Sequence, residues 1–133
     1  GAQKVCWIVS QPTETKATKG GKEVKVNRGD IFLMVSVRPG DKVKNEVSFL
    51  SGYPFKGGSK VKISIGSKSF ELFTDGENAW TTSGDSDNRL TAAFRAGANA
   101  QVQGLSARGT TTRDTFSLSG FTAALKAAQS SCK

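Results

Sequence analysis

Apolar and polar residues alternate along most of this 133-residue chain, and the period of that alternation predicts its elements. KEVKVNR (22–28) sets Val24 and Val26 between charges, the pattern of a half-buried strand. IFLMVSV (31–37) is apolar almost throughout and predicts a central strand covered on both faces. EVSFL (46–50) follows, separated from it by Arg38-Pro39-Gly40-Asp41, a turn sequence. KVKISIGSKSFELFT (60–74) is the clearest hairpin. Val61, Ile63 and Ile65 point one way, Lys60 and Lys62 the other, and Gly66-Ser67 suits a two-residue type II′ turn.

The period lengthens in two places. In 83–97, Leu90 and Phe94 fall four apart, Asp85, Ser86 and Asp87 offer N-caps, and Gly97 fits the position after a helix end. After the strands AQVQG (100–104) and TFSLS (115–119), Phe121, Leu125 and Ala128 return to helical spacing, with Ser119 as the expected cap. Eight or nine short strands with turns between them predict a single mainly β domain over residues 1–133, an antiparallel β-sandwich with one short internal helix and a C-terminal helix.

Charge adds a possible kind of partner. The chain carries +8, and residues 16–68 hold twelve Lys and Arg against four acids. Lys22, Lys25, Arg28, Lys60 and Lys62, carried on two predicted strands, form the expected anion-binding face. Its partner would be an anionic component of a cell envelope or host surface, and peripheral association with a membrane surface fits the same charge. Exposed lysines also serve solubility and protect sheet edges, so the excess alone does not establish a ligand.

Other chemistry is limited by what the sequence lacks. Histidine is absent, which removes the commonest general base and the Ser-His-Asp triad. Two cysteines cannot supply a four-cysteine zinc site, and no metal or cofactor is expected. GDSDN (84–88) has the acids of a calcium loop without its spacing, and a helix cap accounts for them. Glu71, Asp75 and Glu77 lie close in sequence, but alternation sends Glu71 to solvent, against a glycosidase-like pair. No phosphate-loop spacing occurs. Tyr53 and Phe55 beside Lys56 and Lys60 make the best nucleic-acid patch, yet their rings read as packed inward, so nucleic acid is not favoured. RGTTTRD (108–114) reads as a polar loop held by internal hydrogen bonds, with pairing among Arg108, Arg113 and Asp114 as the alternative. No apolar run reaches the roughly 20 residues of a membrane helix, and Gly1-Ala2-Gln3 opens the chain without a signal-peptide core. Cys6 and Cys132 sit at opposite ends, and their placement alone allows either a bridge or two free thiols.

GYPF (52–55), FELFTDGENAW (70–80), RGTTTRDTFSLSGFTAALKAA (108–128) and the opening CWIVS resemble the invasion-associated locus B family of alphaproteobacteria. The resemblance runs from about Val5 to Cys132 and is most specific at the strand-to-helix junction Gly120-Phe121. It implies an exported protein, periplasmic, secreted or attached to the outer membrane, with an immunoglobulin-like sandwich and a leader already removed. Export tips the cysteines toward a Cys6–Cys132 disulfide. The family's longer members carry further cysteines near DGENAW, where Trp80 stands here. The family name implies a role in host-cell entry and virulence, and no catalytic residue comes with it. The expectation is therefore an envelope protein that acts by binding and not as an enzyme, the alternatives being a structural envelope protein without a dedicated ligand or an enzyme using carboxylates and Arg.

Overall fold

A strand shows alternate side chains to opposite faces, so register decides which residues meet. The computed structural model of the chain describes residues 6–37, 45–81 and 84–131. Ten strands are seen: β1 (Cys6–Ser10), β2 (Glu14–Lys19), β3 (Lys22–Glu23), β4 (Phe32–Val37), β5 (Asn45–Leu50), β6 (Lys60–Ile65), β7 (Lys68–Asp75), β8 (Asn78–Trp80), β9 (Asn99–Leu105) and β10 (Thr111–Ser117). Two helices accompany them, α1 (Gly84–Ala96) and α2 (Phe121–Ser131). The spatial order is β1-β4-β5-β8-β7-β6-β9-β10-β2-β3, every neighbouring pair is antiparallel, and the sheet curls into a half-barrel.

The expected immunoglobulin-like sandwich of two sheets is replaced by this single sheet. β6 is hydrogen-bonded on both edges, to β7 and β9, and β8 joins β5 to β7. The strands that would separate into two layers are therefore stitched together. The curl and the helices do the work of a second sheet. Ile8, Val35 and Val47 form one inward row, Leu33, Phe49 and Ala79 the next, and Val61 meets Leu72 further along. Leu90, Ala93 and Phe94 of α1 and Phe121 and Leu125 of α2 join the same core.

Local chemistry sets the corners. Gly66 has φ of 60° and Ser67 does not have a positive φ, as the type II′ turn of the predicted hairpin requires. β4 lies between β1 and β5 as an interior strand, in line with its apolar run. The predicted strand 22–28 survives only as Lys22–Glu23. After the Val24 amide bonds to the Ala17 carbonyl, the chain leaves the sheet, so Val24 and Val26 are 36% and 41% exposed. Asp87 does not cap α1. It is buried and accepts hydrogen bonds from the Val47 amide (3.0 Å) and the Thr81 hydroxyl, tying the helix to β5. Gly97 is required for closeness: a Cβ there would meet Ile65 Cγ2 at 2.4 Å. The cap of α2 is Gly120, not Ser119; its carbonyl accepts from the Ala124 amide at 3.0 Å, and its φ is 77°.

The predicted turn at 38–41 and Cys132 lie outside the described residues. Cys6 is partly buried against the core at the start of β1, and no cysteine among the described residues is free.

Phe121 and Phe94 meet edge to face with centroids 5.2 Å apart, which is how α2 docks. Replacing Phe121 by Ala should cost about 3–5 kcal/mol in urea unfolding, the range for a buried ring. A variant as stable as the parent would show α2 to be an undocked tail.

Candidate anion-binding site

The five residues expected to share one basic face are divided among three places. Lys60 and Lys62 do lie on the polar face of β6, opposite Val61 and Ile63. Register extends that face sideways: Glu71, Lys62, Gln103, Arg113 and Lys16 form one row across β7, β6, β9, β10 and β2. Lys62 to Lys16 spans three strand spacings, on the order of 14 Å. Lys16 is paired with Glu14 at 3.4 Å and Lys60 with Glu71 at 3.8 Å, both in solvent. Lys62 and Arg113 make no ion pair among the described residues. The adjoining row runs Lys60, Phe73, Trp80, Ser48, Met34 and Val9. Phe73 and Trp80 remain substantially exposed there, and the Lys60 ammonium lies 5.2 Å from the Phe73 ring centroid.

Arg28 does not belong to an exposed face. Its side chain is 8% exposed and forms a bidentate pair with the wholly buried Asp114, Nη1 to Oδ1 at 2.6 Å and Nη2 to Oδ2 at 2.8 Å. Nε and Nη2 also donate to the Ser51 carbonyl, at 3.0 and 2.8 Å. The guanidinium sits 5.1 Å from the Tyr53 ring centroid. The Tyr53 hydroxyl shares a hydrogen bond with Thr112 Oγ1, and burial is the main cause of a phenol pKa raised above its ordinary value of 10.0. Two glycine contacts hold this arrangement. The Gly29 amide donates to the Gly52 carbonyl at 2.9 Å, and a Cβ on Gly52 would meet the Gly29 backbone at 2.6 Å. At Gly104 a Cβ would strike the Tyr53 hydroxyl and the Phe55 ring.

The loop read over 108–114 is shorter than expected, since Thr111–Asp114 belongs to β10, and Asp114 pairs with Arg28 and not with the alternative partners Arg108 and Arg113. β10 alternates, so Thr112, Asp114 and Phe116 point inward while Arg113 points out. Arg108 is exposed in the turn Ser106–Thr110, which internal hydrogen bonds do close, as expected of that loop. A signal for the pairing was available: a carboxylate in phase with Phe116 must find a buried cation. Lys25 stands on the same departing segment as Arg28, and Lys22 on the β3 hairpin. Glu71, Asp75 and Glu77 are all exposed, and no group of three or more His, Cys, Asp or Glu among the described residues is placed to hold a metal.

Fold and surface define a mainly β protein with a curled antiparallel sheet, a helix-covered inner side and cations on its outer side and at one sheet end. The chain belongs to the invasion associated locus B (IalB) protein family, whose family model matches residues 1–129. Curated proteins and solved structures give no match.

Asp114→Ala would leave the Arg28 charge buried and unpaired, and an unfolding free energy lower by about 3–5 kcal/mol is expected. The double change Arg28→Met with Asp114→Leu should recover much of that loss, because apolar residues of similar volume replace a buried pair at little cost. Equal stabilities of the single and double variants by urea titration would contradict this account.

Proposed function

We propose that this protein is an exported IalB-type envelope protein that acts by binding, without catalysis, on the periplasmic or outer-membrane side. The observation that carries the reading is the outer-face register, which aligns Lys62, Arg113 and Lys16 beside Lys60 and the exposed Phe73 and Trp80. Cations supply attraction to an anionic envelope or host-surface component, and exposed rings supply contact area with little side-chain entropy to lose. Among the described residues no helix is long and apolar enough to cross a membrane, which is compatible with action at a surface. Host-cell entry enters this reading through the family's name alone.

Export also supports the Cys6–Cys132 disulfide. Such a bridge would close almost the whole chain into one loop, and bridges of that kind stabilise by roughly 2–5 kcal/mol. Mass spectrometry of the native, non-reduced protein should find no alkylatable thiol, and Cys132→Ser should lower Tm by several degrees. Ready alkylation of both cysteines without denaturant would remove the bridge from the reading.

Replacing Lys60 and Lys62 together by Gln should weaken binding to anionic vesicles or acidic polysaccharide. The parent's binding should itself fall steeply with salt, since exposed charges are screened over ~10 Å at 0.1 M. Stability should stay within ~0.5 kcal/mol, as expected for exposed positions. Unchanged binding by the double variant would assign these lysines to solubility.

A further inference from the structure

Three segments distant in sequence converge at one end of the sheet. They are Lys25–Arg28, Gly52–Pro54 and the stretch from Ser106 to Thr112, and they enclose a pocket of about 610 Å³. That volume is within the ~300–1,000 Å³ of ordinary small-molecule sites. Lys25, Arg28 and Arg108 line it, and among the described residues no Asp or Glu does. Asp114 lies behind Arg28 and neutralises it. Lys25 and Arg108 are exposed and have no ion-pair partner among the described residues, so two uncompensated cations flank the opening.

The interior of the pocket is also suited to a ligand. Arg28 spends four of its five N–H groups on Asp114 and Ser51. The second N–H on Nη1 has no acceptor among the described residues, although the side chain is more than nine-tenths buried. Val26, Tyr53 and Pro54 add apolar wall, and half-exposed Val26 has no packing role in the core. The Gly29–Gly52 contact and the Ser106–Thr110 turn hold the walls in place before any ligand arrives. A preformed concave site loses less free energy on binding than a flat one that must be ordered.

We propose that this pocket binds a small organic oxyanion, a carboxylate or phosphate carried on a body of monosaccharide size. Lys25 and Arg108 hold the anion by charge-assisted hydrogen bonds, Arg28 contributes its spare N–H, and the ring of Tyr53 packs against the body. The site is separate from the outer face of the sheet and does not depend on the role proposed for Lys60 and Lys62.

The test is titration of the full chain with glucuronate, glucose 1-phosphate and inorganic phosphate, with neutral glucose as control, followed by calorimetry and amide chemical shifts. Saturable binding of glucuronate or glucose 1-phosphate is expected, with shifts centred on residues 25–28, 52–54 and 106–112, and glucose should not bind. The better of the two sugars identifies the anion; inorganic phosphate should bind more weakly for want of a body. Lys25→Gln and Arg108→Gln should each weaken binding roughly ten- to a hundredfold, the loss of one charge-assisted contact. Both positions are exposed, so the variants should fold, and an unchanged Tm checks it. Lys60→Gln with Lys62→Gln should leave this binding unaltered, which separates its failure from failure of the outer-face reading. Saturation by none of the anions at millimolar concentration, equal binding of glucose, or full affinity in both pocket variants would overturn the proposal.

Discussion

A carboxylate with no exposed surface stands beside the buried Val102 and Ile63 in one register row, and much of the molecule is arranged to satisfy it. Asp114 is paired across strands with Val102 on one side and Thr15 on the other, and Val102 in turn with Ile63. An unpaired charge there would be prohibitive, so a guanidinium must be delivered to it. Arg28, which meets it, lies outside every strand. The chain therefore leaves the sheet after Glu23 and crosses its end, exposing Val24 and Val26 on the way. Gly29 and Gly52 let two backbones approach where side chains would collide. The same approach sets the Ser51 carbonyl against Arg28 and lays Tyr53 over Gly104.

That chain of consequences explains which parts of the fold were legible in the sequence. The hairpin 60–74, the interior strand 32–37 and both helices follow from local periodicity, which the sheet and core respect. The segment 22–28 alternates just as well, yet its course is set by Asp114, 86 residues from Arg28. Alternation reports a preference for a pleated surface and carries no information about a distant partner. The same limit applies to sheet count. Short strands at regular spacing are common to a sandwich and to one curled sheet, and only the pairing of β6 with β9 and of β8 with β5 and β7 decides between them.

The candidate surfaces were legible to different degrees for the same reason. The outward phase of Lys60 and Lys62 is a local property and stands. The alignment of Lys62 with Arg113 and Lys16 is a matter of register among four strands, which no single segment encodes. Lys25 and Arg28 were assigned to a strand face, yet both line the pocket instead. Arg108, read as part of a polar loop, joins them there.

The two cationic regions differ in physical kind, although both arise from one excess of Lys and Arg. On the outer face the charges lie about a strand spacing or more apart on a surface open to water, and two of the lysines are already near carboxylates. In the proposed role, such a face would meet a broad anionic surface weakly and through many contacts. In the pocket a low-dielectric wall of Val26, Tyr53 and Pro54 stands behind Lys25 and Arg108, and a concave boundary concentrates the field that exposed charges disperse. The phenol of Tyr53 feels that environment too, since burial outweighs the favourable influence of Arg28 on its ionised form. Selectivity for one small anion is therefore to be sought at the sheet end, and affinity for an extended anionic surface along the sheet.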